Sequence, residues 1–329
     1  MKKAAFFGEA KSIARVYDQG RHDKVRLLTD LYPHLIDLHN FADHVPHLRD
    51  LQVIFSTWGM PRLTVEHLAR LPALEAVFYG AGSVQGFARP LLERGLLVVS
   101  AWQANAVPVA EFTLAQILLA NKGYFRNTQE CRSLAGRRGA FCGNGNFGET
   151  VAILGAGAIG RKVIELLRPF NLRVIVFDPF LGDEDAARLG VEKVTLEAAF
   201  ERGYVVTNHI ANLPHTVKML HGGLFERMRE NATFINTGRG ATVDEPGFIR
   251  VLQARPDITA LLDVTDPEPP GEDSPLYTLP NVHLTSHIAG SLGDEVIRMA
   301  DYCIEEFLAW EKGDALRYAV TLEMLDTMA

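Results

Sequence analysis

Short apolar runs of strand length alternate with helical stretches along almost the whole chain. Residues 4–7, 53–55, 77–79 and 96–99 form four such runs in the first hundred positions, most of them followed by polar or glycine-bearing turns. Between them, Thr64 opens a helical stretch with Val65, Leu68 and Leu71 on one face, and Pro72 stops it. Over 107–120, Val109, Phe112, Leu114, Ile117 and Leu118 recur at helical spacing and predict a long helix with Pro108 in its first turn. The glycine-rich stretch 136–148 reads as a loop. From Thr150 the alternation restarts, with buried strands predicted at 151–154, 174–177, 204–207, 233–235, 258–262 and 282–284. A last helix follows Gly293 and runs to about Trp310, with Val296, Met299, Ile304 and Phe307 apolar; the tail after Gly313 carries no pattern. Strands alternating with helices imply parallel, doubly wound sheets, and six strands in the second half suffice for a dinucleotide-binding sheet.

Composition narrows the class. With 329 residues, 47% hydrophobic and 22% charged, the chain is long enough for two domains and has the make-up of an ordinary globular protein. A net charge of −7 without any Lys/Arg run argues against nucleic acid or an anionic membrane surface as partner. Three scattered cysteines (Cys131, Cys142, Cys303) are too few for a disulfide framework or a zinc site, so no metal is expected and the reducing cytoplasm is the expected compartment. The N-terminus lacks the long apolar stretch of a signal peptide, and no run approaches the ~20 apolar residues of a membrane span.

The clearest chemistry is Gly155-Ala156-Gly157-Ala158-Ile159-Gly160, directly after an apolar run and opening a helical stretch. Gly155 permits a tight turn, Gly157 lets backbone approach a pyrophosphate, and Gly160 allows helix to pack on strand. N–H groups at the helix start then face phosphate charge. Asp178 closes the next predicted strand, 18 positions beyond Gly160, near the ~20-residue spacing of a ribose-binding acid. Its carboxylate would accept from ribose hydroxyls and repel a 2′-phosphate, which favours NAD over NADP.

Arg239, Glu268 and His287 follow the predicted strands at 233–235, 258–262 and 282–284, where an open parallel sheet forms its ligand crevice. Each alone also reads as a turn arginine, a solvated loop acid or a capping histidine. Together they resemble a known pattern. Phe234-Ile235-Asn236-Thr237-Gly238-Arg239-Gly240 with Val243-Asp244-Glu245 resembles the arginine motif of the D-isomer-specific 2-hydroxyacid dehydrogenases. Leu262-Asp263-Val264 with Glu268-Pro269 is similar to that family's glutamate motif, and Leu284-Thr285-Ser286-His287-Ile288-Ala289-Gly290 to its histidine motif. Asn105 with Val109-Ala110-Glu111, and His209 with Leu213-Pro214-His215-Thr216, add to a match spanning about residues 50–312.

The resemblance implies an α/β protein of two doubly wound parallel-sheet domains. A Rossmann NAD-binding domain at 103–291 would be inserted into a smaller flavodoxin-like substrate domain built from 1–102 and the return segment 292–329. It implies NAD-dependent interconversion of a 2-hydroxy acid, the D isomer, with its 2-oxo acid. Arg239 would grip the substrate carboxylate and carbonyl through its planar guanidinium. His287, an imidazole that ordinarily titrates near pH ~6.5, would be the general acid and base. Glu268 would orient the imidazole and favour its protonated form, raising its pKa. Backbone N–H groups around Ala81, Gly82 and Ser83 would meet the substrate carboxylate. Ala158 and Ile159 would sit at the pyrophosphate, Asp263 at the nicotinamide carboxamide, His209 and Thr237 beside the cofactor, and Gly290 near its nicotinamide end. Closure of the two domains would exclude water from the reaction. The family also implies a homodimer, with 122–148 in the interface.

Three departures from the family pattern stand out: Gly238 for alanine or serine, Ser286 for proline, and Gln85 for an aspartate after the glycine loop. Glu268 argues against formate dehydrogenase chemistry, which uses glutamine there. A phosphite-type dehydrogenase and an NAD-sensing, corepressor-like scaffold are the alternative readings of the same motifs. Trp58, Tyr79 and Trp102 follow or end predicted strands and read either as pocket lining or as ordinary core and rim aromatics.

Overall fold

A computed structural model describes residues 1–328. The chain first lays down β1 (Lys3–Phe7), β2 (Asp30–Leu31), β3 (Val53–Ser56), β4 (Ala76–Tyr79) and β5 (Leu97–Ser100). Then come β6 (Thr150–Leu154), β7 (Arg173–Phe177), β8 (Glu192–Lys193), β9 (Val205–Asn208), β10 (Thr233–Asn236), β11 (Thr259–Leu262) and β12 (Val282–Leu284), and finally β13 (Ala319–Val320). The chain divides into two compact units, Met1–Ala106 with Ser291–Ala329, and Val107–Gly290.

The first unit holds a sheet in the order β13-β5-β4-β3-β1-β2, parallel except for β13 against β5. Without β13 this is the flavodoxin-like order, reversing beside β1. β3 and β4 are buried on both faces, which is why they read as continuous apolar runs rather than alternating ones. The helix Ile297–Lys312 lies on this sheet, with Phe307 edge-on to Phe55 and Phe78 at 5.4 and 5.6 Å. Phe307 is fully buried, a burial worth about 1.5–3 kcal/mol.

The second unit holds a sheet in the order β12-β11-β10-β9-β6-β7-β8, parallel throughout, with the reversal between β6 and β9. This is the Rossmann pattern with one added strand. Alternate residues of β6 face opposite cores: Ala152 and Leu154 join Phe200, Phe225, Phe234 and Phe248, while Val151 and Ile153 join Val163, Ile164 and Leu167. Both faces are thus covered, as doubly wound sheets require.

Three expectations need correction. The long helix spans Trp102–Asn121, so Pro108 is interior and not in the first turn. Burial of its Ala104, Ala110, Ile117 and Ala120 outweighs a proline penalty of about 3 kcal/mol. The glycine-rich loop begins later than expected, because Ser133 caps a short helix, Leu134–Gly139, by accepting from the Gly136 N–H. The tail after Gly313 is ordered by long-range contacts invisible to local pattern. β13 joins the sheet, buried Glu306 accepts from the Arg317 and Tyr318 N–H groups, and Gln85 donates to the Leu325 and Met328 carbonyls.

Candidate active site

The expected residues of the second unit gather after the carboxyl ends of adjacent strands: the glycine turn after β6, Asp178 after β7, His209 after β9, Thr237 and Arg239 after β10, Asp263 after β11, and His287 and Gly290 after β12. The glycines show why. Gly155 has φ +93° and a Cβ there would lie 2.8 Å from the His209 carbonyl; at Gly160 it would lie 2.0 Å from the Gly155 carbonyl. Fold geometry demands glycine at both. At Gly157 a Cβ would meet nothing within 4 Å. No packing among the described residues asks for glycine there, whereas a pyrophosphate approaching the N-terminus of the helix Ala158–Leu167 would. Asp178 accepts from the Ala156 N–H at 2.6 Å and from Phe180 and Leu181 N–H at 2.7 and 3.1 Å, which fixes the carboxylate beside the glycine turn. These features fit a dinucleotide.

His209 lies within hydrogen-bonding distance of Thr207 at 3.0 Å and Thr237 at 3.5 Å, and Thr237 in turn meets Thr113 at 3.1 Å. Burial pushes the His209 pKa down to about 3, so the ring is neutral near pH 7.

The His287 Nδ1 meets Glu268 Oε1 at 2.5 Å. Both side chains are about half exposed, so the pair adds little to stability in water. What it determines is imidazole orientation, leaving Nε2 without a partner among the described residues. His287 itself has φ +59°, a left-handed conformation rare outside glycine. Asp263 holds that loop in place. Its buried carboxylate accepts from Thr285 Oγ1 at 2.6 Å, Ile288 N–H at 2.8 Å and Ala289 N–H at 2.9 Å. Asp263 thus grips the peptide groups that follow His287.

Arg239 hydrogen-bonds the Gly238 carbonyl at 2.7 Å. Burial pushes its pKa down and the nearby Glu268 charge pulls it back up; a guanidinium stays charged regardless. A network missing from the sequence reading secures its loop. Asn208 Nδ2 donates to Asn236 Oδ1 at 3.0 Å and Thr242 Oγ1 at 2.9 Å, Asn236 Oδ1 accepts from Gly238 N–H at 3.1 Å, and Thr242 Oγ1 donates to the Arg239 carbonyl at 2.8 Å. The signal was present: β9 and β10, otherwise strand-type runs, both end in asparagine. Gly238 also has its reason, since a Cβ there would stand 3.0 Å from the Asn208 carbonyl.

Ala81, Gly82 and Ser83 follow β4 in the first unit. Of the three aromatics considered for the pocket, Tyr79 is core, packed on Phe87 at 4.7 Å. Trp102 lies edge-on to Tyr318 at 5.9 Å, and Trp58 is partly exposed after β3. Among the described residues, no helix is long and apolar enough to cross a membrane.

Residues 114–289 match the family model described as D-isomer specific 2-hydroxyacid dehydrogenase, NAD binding domain. The chain belongs to the D-isomer specific 2-hydroxyacid dehydrogenase family. Within it, the chain is 30% identical over 234 residues to D-3-phosphoglycerate dehydrogenase of Archaeoglobus fulgidus, covering 71% of this chain and 44% of that enzyme. It is 30% identical over 230 residues to the Bacillus subtilis enzyme of the same name, covering 70% and 44%. The match therefore spans under half the length of these relatives. A phosphoglycerate oxidoreductase of Rhizobium etli superposes with a TM-score of 0.81 at 25% identity, over 97% of this chain and 98% of that one. D-mandelate dehydrogenase of Rhodotorula graminis shares the fold with a TM-score of 0.79 at 20% identity, over 97% of each chain.

Proposed function

We propose that this family member is an NAD(H)-dependent oxidoreductase interconverting a D-2-hydroxy acid and its 2-oxo acid. The observation that carries the reading is the His287–Glu268 pair beside the half-buried Arg239, on the sheet whose β6 turn suits a dinucleotide. NADH, when bound, supplies the hydride that reaches the substrate carbonyl carbon. Arg239 binds the carboxylate and carbonyl oxygens of the 2-oxo acid. The His287 Nε2–H donates a proton to the carbonyl oxygen as it becomes an alkoxide, and takes it back in the oxidative direction. Glu268, on the opposite nitrogen, fixes which nitrogen faces the substrate and balances the imidazolium charge. The neutral His209 places no charge against the cofactor.

NAD is preferred over NADP because the Asp178 carboxylate, pinned by three N–H groups, would repel a 2′-phosphate. The substrate carboxylate also meets the N–H groups of Ala81, Gly82 and Ser83. The protein acts as a homodimer in the cytoplasm: Tyr124, Leu134 and Phe147 are exposed large apolar residues within 122–148, the stretch suited to an interface.

The test is NADH consumption across a panel of 2-oxo acids (glyoxylate, pyruvate, hydroxypyruvate, phenylpyruvate and sugar-derived acids) beside His287→Ala. Turnover that vanishes in the variant supports the reading; no turnover on any acid, with NADH bound, overturns it.

A further inference from the structure

The loop that follows β4 has an unusual division of hydrogen bonds. Every carbonyl from Tyr79 to Gly82 has a donor. Ala101 N–H reaches Tyr79 O at 3.0 Å, Thr57 Oγ1 donates to Gly80 O at 2.7 Å, and Ser100 Oγ lies 2.9 Å from Ala81 O and 2.6 Å from Gly82 O. Among the described residues, none accepts from the N–H of Ala81, Gly82 or Ser83. Ala81 is fully buried, and a buried N–H without a protein acceptor is costly unless an ordered water or a ligand takes its hydrogen bond. Thr57 and Ser100 are themselves fully buried; Thr57 directly follows β3 and Ser100 ends β5, the strands flanking β4.

We propose that Ser100 and Thr57 are positioning residues for substrate recognition: by tying the loop carbonyls inward, their hydroxyls hold the N–H groups of Ala81, Gly82 and Ser83 outward as a preformed cradle for the substrate carboxylate. The inference rests on the 2-hydroxyacid reading of the same site. A hydroxyl has one proton to donate, so Ser100 holds Gly82 O most directly and shares the proton with Ala81 O. Adjacent peptides fixed with their carbonyls on one side present aligned N–H dipoles on the other, which is how backbone alone builds an anion site. Preorganisation matters because a loop already in its binding conformation loses no freedom when the anion arrives. Asn105 lies beside the cradle. A Cβ at Gly82 would sit 3.7 Å from its Nδ2, while its Oδ1 accepts from the Ser291 N–H at 3.1 Å. The amide nitrogen thus extends the donor array.

The experiment compares Ser100→Ala, Thr57→Val and the hydroxyl-keeping Thr57→Ser with the unaltered enzyme. KM and kcat are measured on the best 2-oxo acid of the panel, and oxamate binding is read from the fluorescence of the enzyme–NADH complex. Ser100→Ala and Thr57→Val are expected to raise KM and the oxamate Kd about tenfold, the size of one lost hydrogen bond, with kcat and NADH affinity little changed. Thr57→Ser should stay near the unaltered values. Unchanged KM and oxamate Kd in both deletion variants would overturn the proposal, as would equal losses in Thr57→Ser and Thr57→Val. NADH affinity reports the folding of each variant. If the unaltered enzyme reduces no 2-oxo acid, the functional reading fails; if it turns over and the variants match it, only the cradle assignment fails.

Discussion

Gly240 approaches Thr265 so closely that a Cβ on Gly240 would stand 2.0 Å from the Thr265 carbonyl carbon. The contact is backbone on backbone, so no side chain can yield. It brings the residue after Arg239 against the segment leading to Glu268, whose charge Arg239 senses. Glycine is needed here for proximity, since φ is not in the left-handed region.

Gly240→Ala should therefore push the two loops apart and lower kcat/KM by about 100-fold, as misplacements near 1 Å do. NADH binding should fall far less. Steady-state kinetics beside an NADH titration measures both; unaltered kcat/KM would show that the Arg239 loop tolerates the shift.

Asp263→Asn replaces an acceptor by a donor facing the N–H groups of Ile288 and Ala289. The mismatch costs about 1–3 kcal/mol and frees the His287 loop from its left-handed conformation. The expected outcome is a fall in kcat with a small change in NADH Kd. A rise in Kd alone would instead place the main role of Asp263 at the nicotinamide.

His209 gives a signed pH dependence. Its folded pKa is lowered to about 3 by burial, against about 6.5 when unfolded. Between those values the unfolded chain binds a proton that the folded one refuses, so stability falls as pH drops from about 6.5 toward about 3. The slope from this group is at most ~1.4 kcal/mol per pH unit. Urea unfolding of His209→Gln at pH 7 and pH 5 should show a smaller loss than the unaltered chain; an equal loss would remove His209 as its source.

Asp178→Ser should narrow the preference for NADH over NADPH, because the charge that repels a 2′-phosphate is gone while a hydroxyl remains to accept from ribose or from Ala156. The ratio of kcat/KM for the two cofactors is the readout. A ratio that does not move would show that the preference has another origin.

Much of the fold was legible because buried parallel strands announce themselves as apolar runs: 151–154 and 282–284 appear within a residue or so as β6 and β12. Motif order singled out Arg239, Glu268 and His287, and the structure sets His287 against Glu268 with the Glu268 charge acting on Arg239. Less visible were features whose cause lies far away in sequence. Gln85 looked like a departure from a family aspartate, yet its two N–H bonds go to Leu325 and Met328, some 240 positions later. Tyr79 stood at a strand end like a pocket residue, but Phe87 and the core enclose it. Asn208, Asn236 and Thr242 are polar residues in apolar surroundings whose partners only the fold reveals.

The first unit draws its strands and core from both ends of the chain, and this governs the order of events during synthesis. When the ribosome has released residues 107–290, a contiguous unit with its whole sheet is ready to fold. Residues 1–106 must wait, with one edge of β5 unpaired and Phe55 and Phe78 lacking Phe307, until the helix Ile297–Lys312 and β13 emerge. Ribosome-bound chains that carry residues 1–291 followed by a linker long enough to clear the exit tunnel should thus resist protease over 107–290 and remain cleavable before it; equal resistance in both stretches would show that the early segment closes without its returning helix.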